Sequence, residues 1–262
     1  MKPYYEDAGM TIYNADCRDV LQDLDPVDLV VTSPPYNLNK RYSGGGNTEI
    51  CAKMQKKYGE WYADDMPEEE YLKWQREIIG ALMAVCKGSV FYNHKLRYAW
   101  HGRNTYRTPS NCYHPWEIVK GFPVWSEIIW DRCAPDKPNH RYRLQHEYIY
   151  QLGKPVVDRG KSGFGTGIWR IPADSTSHVC SFPIQIPLRC IEDCTDPAGT
   201  VLDPFMGSGT TIRAAKDLRR RGIGIEIDEE CCELAAKRLS QEVFDFGELQ
   251  HSPTEHHKGE SE

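Results

Sequence analysis

Two consecutive prolines, Pro34 and Pro35, close the apolar run Val27-Asp28-Leu29-Val30-Val31. The run is short, rich in β-branched residues, and reads as a buried strand. Neither proline has an N–H for a sheet ladder, so the strand ends at Ser33 and its last carbonyls are left free. The segment Ser33-Pro34-Pro35-Tyr36-Asn37 then gathers a small hydroxyl, two carbonyls and an aromatic ring at the carboxyl end of a strand. Open α/β sheets hold their ligands there. The set suits a planar ring that bears an amino group. Ser33 and the Pro34 carbonyl can accept its two N–H hydrogens, and Tyr36 can stack on it. A strand ended by a plain Pro-Pro turn is the other reading of these residues.

A second segment, Thr200-Val201-Leu202-Asp203-Pro204-Phe205-Met206-Gly207-Ser208-Gly209-Thr210-Thr211, reads as a strand, a glycine turn and a helix start. Gly207 and Gly209 allow close approach of a ligand to the backbone. Thr210 or Thr211 can cap the helix, whose free N–H groups suit a carboxylate or phosphate. No lysine follows the second glycine, so this is not a phosphate-binding P-loop. The next strand, Gly222 to Asp228, carries Glu226 about twenty residues beyond the turn, the spacing of an acid that binds ribose hydroxyls. A solvated carboxylate at a strand end is the plainer reading of Glu226.

With both segments present, the chain resembles the amino-methylating DNA methyltransferases that use S-adenosylmethionine. Thr-Ser-Pro-Pro-Tyr at 32–36 precedes Asp-Pro-Phe-Met-Gly-Ser-Gly at 203–209, the order of that family's β class. Asn14-Ala15-Asp16 with Val20-Leu21, Glu127 to Asp131, His146 to Ile149 and His178 to Pro183 are similar to further pieces of the class. The resemblance spans roughly residues 10–240. It implies a three-layer Rossmann-like α/β fold in circularly permuted order. The expected sheet is mostly parallel and seven-stranded, with one antiparallel strand near an edge and helices on both faces. It implies Ser33, Pro34, Pro35 and Tyr36 as the catalytic set. For S-adenosylmethionine it implies a pocket of Asp16, Phe182, Asp203, Phe205, Gly207, Ser208, Gly209, Thr210 and Glu226. Glu226 is expected on the ribose, and Asp16 on the adenine amino group. Asp16 and Phe182 read equally well as ordinary strand-end and core residues.

The net charge of −6 sits badly with a double-stranded DNA partner until its distribution is read. Residues 87–170 hold 14 Lys and Arg against 6 Asp and Glu, a net of +8, and the rest carries −14. A basic middle third on an acidic body is the footprint of a phosphate-binding face, or of a merely segregated solvent surface. Arginines, lysines and aromatics at 94–115 and 132–168 are the expected recognition insertions of a single domain over 1–244, with a polar tail at 245–262. No stretch is apolar enough for a signal peptide or a membrane span, so the expected location is the cytoplasm of a prokaryote. The ten cysteines are scattered, without paired CxxC spacing, and read as reduced packed thiols rather than a metal site. The polar, glycine-rich stretch 38–60 reads as a long loop. The helix that follows is expected from Asp65 to about Cys86, with Leu72, Ile79, Leu82 and Met83 inward.

The expected reaction needs the target base flipped out of the duplex, at a cost of a few kcal/mol. Its exocyclic nitrogen then attacks the sulfonium methyl directly, with no cysteine nucleophile and with alignment supplying much of the rate. No strong base stands out among these residues, so the proton is expected to go to water. Ser33 favours cytosine N4, because Ser before Pro-Pro-Tyr is typical of such enzymes. Asn37 is common among adenine-N6 enzymes and keeps that base in play. Methylation of a protein glutamine or an RNA guanine, and an inactive nucleic-acid-binding relative, are the remaining alternatives. A homodimer and a cognate restriction enzyme are candidate partners that no residue here identifies.

Overall fold

The computed structural model describes residues 1–38, 66–100, 109–134, 142, 144–154, 165–173 and 182–241. The segments 39–65, 101–108, most of 135–164, 174–181 and the tail from 242 lie outside the described residues, and with them the expected long loop, part of the first insertion, much of the second and most of the piece at 178–183. In chain order the elements are β1 (Tyr5–Asp7), β2 (Met10–Asn14), α1 (Cys17–Leu21), β3 (Val27–Thr32), α2 (Glu68–Val85) and β4 (Cys86–His94). There follow β5 (Arg97–Trp100), β6 (Pro109–Tyr113), α3 (Trp116–Val119), β7 (Val124–Asp131), β8 (His146–Leu152) and β9 (Ile168–Arg170). The chain continues with α4 (Gln185–Cys194), β10 (Thr200–Asp203), α5 (Thr210–Asp217), β11 (Arg221–Glu226) and α6 (Glu229–Ser240).

The main sheet has the order β1-β2-β11-β10-β3-β4-β8-β7-β9. Among the described residues it holds nine strands where seven are expected. The two extra ones, β1 and β9, are three-residue strands at the two edges. Without them the expected sheet remains: β2, β11, β10, β3 and β4 run parallel, and β8 lies antiparallel between β4 and β7. Edge strands this short carry no hydrophobic periodicity, which is why the pattern of residues does not announce them.

β3 is buried on both faces, as a central parallel strand must be. Val27 and Val30 turn towards α1, α2 and α3, together with Val90, Tyr92 and Leu202. Leu29 and Val31 turn to the opposite layer, where Phe91 and Val201 meet Ile186, Cys190 and Ile191 of α4 and Ala214 and Ala215 of α5. Met10 and Ile12 pack under Ala235 and Leu239 of α6. Each fully buried aliphatic side chain contributes about 1.5–3 kcal/mol, so the two-sided core holds β3 rigidly below its carboxyl end. Asp28, the one acid in the run, accepts the Thr200 N–H at 2.7 Å and so starts β10 beside β3. The helix expected at 65–86 begins at Glu68 behind Pro67 and buries Tyr71, Gln75, Ile78, Ile79, Leu82 and Val85. Leu72 and Met83 are only partly buried.

The first expected insertion contains a structured β5–β6 hairpin. Two of its expected phosphate-binding residues face inward. His94 is fully buried, and Arg97 is 4% exposed, bound to both Glu68 oxygens at 2.6 and 2.7 Å and lying over the Tyr71 ring. Arg97 therefore pins the hairpin to the start of α2.

Candidate active site

β3 and β10 are neighbours at the middle of the sheet, yet β3 leads through α2 to β4 on one side, and β10 leads through α5 to β11 on the other. The connections diverge there and leave a crevice beyond the carboxyl ends of the two strands, the usual ligand position of an open sheet. The segments at 32–37 and 203–211 form its two lips. A direct bond joins them: the Thr32 hydroxyl donates to Asp203 Oδ1 at 2.8 Å.

On the β3 side, Ser33 Oγ lies 2.7 Å from the Tyr36 hydroxyl, and both lie within hydrogen-bond distance of Asn93 Oδ1, at 3.2 and 2.7 Å. The Tyr36 hydroxyl also reaches Glu147 Oε2 at 3.1 Å. Asn93 stands at the end of β4 and Glu147 at the start of the antiparallel β8, so both converge on the same end of the sheet as Ser33. The Tyr36 ring is flanked by the His94 ring at 4.6 Å and the Lys95 ammonium at 5.3 Å.

Beneath it, a buried polar cluster fixes the double proline. The Pro35 carbonyl accepts from the Tyr71 hydroxyl at 2.6 Å and from Gln75 Nε2 at 3.2 Å. The Tyr71 hydroxyl also meets His94 Nε2 at 2.7 Å, and His94 Nδ1 lies 2.9 Å from the Lys95 carbonyl. Burial, then the Arg97 charge, pushes the His94 pKa down to about 3, so the ring is neutral. A neutral ring that donates from Nδ1 must accept at Nε2, and the Tyr71 hydrogen is shared between His94 and Pro35. The Pro34 carbonyl, by contrast, accepts no hydrogen bond from the described residues. Of the two proline carbonyls, Pro35 is committed to the body and Pro34 is open to a ligand.

On the β10 side, Asp203 is 3% exposed and takes three bonds: from Thr32, from the Phe205 N–H at 3.1 Å and from the Thr211 hydroxyl at 2.7 Å. Burial raises its pKa to about 6 against the pull of those donors. Its carboxylate braces the turn. The helix cap differs from the expectation. Gly209 is the N-cap of α5, with φ +82° and no side-chain cap bond. Thr211 is drawn to Asp203, and the Thr210 hydroxyl accepts from Arg238 at 3.0 Å.

The two glycines have different reasons. A Cβ on Gly209 would lie 2.8 Å from the Ala235 Cβ, so this glycine lets α5 meet α6. A Cβ on Gly207, at φ +52°, would meet nothing within 4 Å among the described residues. Gly207 therefore borders open space, and its N–H donates to Glu226 Oε2 at 2.8 Å. Gly209→Ala is expected to lower stability by about 1–3 kcal/mol, from overpacking and left-handed strain. Gly207→Ala is expected to cost about 1 kcal/mol of strain, with its main effect on ligand binding. Thermal unfolding and cofactor titration of the two variants separate these effects; equal melting losses would refute the distinction.

Glu226 also accepts the Asp228 N–H, at 2.9 Å on Oε1, so each oxygen is oriented by one backbone donor and keeps lone pairs for a ligand hydroxyl. Burial raises its pKa, partly offset by these two N–H groups. Asp16 caps α1, accepting the Arg18 N–H at 2.9 Å while the Arg18 guanidinium lies on its carboxylate. Phe182 is packed in the core with Val31 and Ile186. Phe205 stands edge-on to Trp74 at 5.9 Å, and the Ser208 carbonyl faces Arg238 at 3.5 Å. Asn93, Glu147, Tyr71 and Gln75 escape a sequence reading. Their only signal is position at the ends of strands and on a helix whose neighbours the topology selects.

A family model described as DNA methylase, N6_N4_Mtase, matches residues 27–237. M.BglII, a type II methyltransferase from Bacillus subtilis, is 30% identical over 88% of this chain and 69% of its own length. M.ScaI from Streptomyces caespitosus is 28% identical over 92% and 85%. Among solved structures, the cytosine-N4-specific PvuII DNA methyltransferase aligns with TM-score 0.68 at 18% identity, over 96% of this chain and 91% of its own. TTHA0409 of Thermus thermophilus, a DNA modification methylase by description, crystallised with S-adenosyl-L-methionine, aligns with TM-score 0.64 at 23% identity, over 90% and 95%. No helix among the described residues is long and apolar enough to cross a membrane. With its two signature segments joined across the central crevice and a family match over most of its length, the chain belongs to the N6_N4_Mtase family of DNA methylases.

Proposed function

We propose that this protein transfers a methyl group from S-adenosylmethionine to the exocyclic N4 amine of a cytosine flipped out of double-stranded DNA. The observation that carries this reading is the pair of adjacent acceptors at the end of β3: the Ser33 hydroxyl and the Pro34 carbonyl, the latter unclaimed among the described residues. An aryl amine has two N–H hydrogens, and two acceptors fix its plane and its lone pair. Tyr36, oriented by its hydroxyl, offers a ring on which a flipped base stacks.

The β10 lip suits the cofactor. The open space at Gly207 admits a ligand against the backbone, and Glu226 suits ribose hydroxyls. Phe205, Ser208 and the backbone at Gly209 and Thr210 shape the methionine side. Bound there, the cofactor would supply a methyl on a positively charged sulfur. Asp16, whose carboxylate carries Arg18, suits the adenine amino group only if that pairing loosens.

Adenine N6 is the second reading, and Asn37 is its main support. The Asn37 amide donates to the Met66 carbonyl and accepts the Met66 N–H, each at 2.9 Å. Both ends of the amide are engaged with Met66, so Asn37 acts here as a structural clamp. The net charge of +8 over residues 87–170 supports a DNA-facing surface around the β5–β6 hairpin, although His94 and Arg97 are not part of it. Nucleoside mass spectrometry of DNA incubated with the protein and S-adenosylmethionine tests the reading. N4-methylcytosine is the expected product. N6-methyladenine would replace the base and keep the site, and absence of both from DNA of varied sequence would sink the proposal.

A further inference from the structure

The Ser33–Tyr36 pair does not end at a hydroxyl. Among the described residues one carboxylate reaches it, Glu147, whose Oε2 lies 3.1 Å from the Tyr36 hydroxyl. Glu147 is 6% exposed, and its other oxygen lies 3.5 Å from the Arg132 guanidinium. An acid this buried is costly, and a strand could carry an apolar residue there, since Tyr36 is already held by Asn93 at 2.7 Å. Asn93 cannot serve the same purpose as Glu147. Its Nδ2 donates to the Tyr148 carbonyl at 3.1 Å, which turns Oδ1 to the hydroxyls, but an amide oxygen does not take up a proton near neutral pH. The contacts Ser33 Oγ to Tyr36 Oη to Glu147 Oε2, at 2.7 and 3.1 Å, make a continuous path from the amine-binding hydroxyl to an ionisable group.

We infer that Glu147 is the terminal acceptor of the proton released on amine methylation, reached through the Ser33 and Tyr36 hydroxyls. This rests on the amino-methylation reading above. As the nitrogen lone pair forms the N–C bond, the S–C bond breaks and its electrons stay on sulfur. The nitrogen is left cationic with two hydrogens. One passes to Ser33 Oγ while the Ser33 hydrogen moves to the Tyr36 oxygen and the Tyr36 hydrogen to Glu147. The nitrogen keeps the N–H bonding pair and ends neutral; Glu147 ends as the uncharged acid. The exocyclic nitrogen of cytosine shares its lone pair with an electron-poor ring, so once methylated and cationic it is a far stronger acid than a carboxylic acid, and the transfer to Glu147 is downhill. In the resting arrangement the Tyr36 hydrogen points most closely to Asn93, and rotation about its C–O bond redirects it to Glu147. Glu147 acts through Tyr36 and is a positioning and relay residue.

The test is single-turnover methyl transfer to DNA by the protein, in water and in heavy water. Glu147→Gln should lower the rate about 100-fold and diminish the solvent isotope effect, with S-adenosylmethionine affinity within about twofold of parental. Tyr36→Phe keeps the ring, breaks the path and should cost a similar factor. Because both cut one path, the double variant should be no slower than the slower single one, whereas two merely structural defects would multiply. Glu147→Asp should recover part of the rate. Parental rate and isotope effect in Glu147→Gln, or multiplying losses in the double variant, would overturn the relay. Should Glu147→Gln fail to fold, an unchanged rate and isotope effect in Tyr36→Phe would do the same. No methylated nucleoside from the parental protein would instead overturn the amino-methylation reading, and the relay with it.

Discussion

Tyr36→Ala should abolish measurable DNA methylation, a loss of at least about 100-fold, while S-adenosylmethionine binds within about twofold of parental. Base stacking on an aromatic side chain contributes about 1–3 kcal/mol, and loss of orientation at the reacting nitrogen adds to it. The removed hydroxyl also leaves Ser33, Asn93 and Glu147 without their shared partner. The cofactor lip should be insulated, because it is braced by Asp203, Thr32 and Thr211 and not by Tyr36. Isothermal titration with the cofactor and a labelled-methyl assay on the same preparation decide this. Parental methylation by the variant would remove Tyr36 from the base site, and loss of cofactor binding would mean that the two lips are not independent.

Asp203→Ala should be among the most destabilising single changes in the chain. It strands the Thr32 hydroxyl and the Phe205 N–H in a buried site and leaves the Thr211 hydroxyl only a long bond, 3.4 Å, to the Val31 carbonyl. Unpaired buried groups cost about 1–3 kcal/mol each, so a loss of roughly 3–5 kcal/mol and a melting point lower by about 10 °C are expected. Asp203→Asn should be much milder, because both hydroxyls can rotate to suit an amide, and it carries a pH signature. The Asp203 pKa is raised to about 6 in the fold against an ordinary 3.8, so the fold prefers its protonated form. Its contribution is full below about pH 3.8 and is lost as pH rises through 6. The melting-point difference between Asp203→Asn and parental should therefore move in favour of asparagine between pH 4 and 7. A difference that stays flat would mean that the three donors fully offset burial of the charge.

Much of the fold was legible because its signals are local. Pro34 and Pro35 end β3 by covalent necessity, and the glycines at 207 and 209 mark the turn before α5. Two-sided burial made β3 an apolar run broken only by Asp28. The pairing of β5 with β6 and the edge strands were not legible, since polar or three-residue strands exist only by pairing with a partner that periodicity does not name. The separate reasons for Gly207 and Gly209 were equally hidden: both are local permissions for left-handed backbone, but only packing puts Ala235 against one and open space against the other.

The amino-acid sequence by itself determined the two lips, their order along the chain, and the place of Ser33 and Pro34 at the end of β3, because these follow from residue type and from chain stiffness within a few positions. Tertiary structure alone decided which groups meet across long separations. It turned His94 and Arg97 inward, committed Pro35 to Tyr71 and Gln75, engaged Asn37 with Met66, and brought Glu147 from an antiparallel strand 111 residues away to the Tyr36 hydroxyl. The physical reason is that hydrogen bonds and burial act over a few ångströms of space, and strand order, not distance along the chain, sets which side chains share that space.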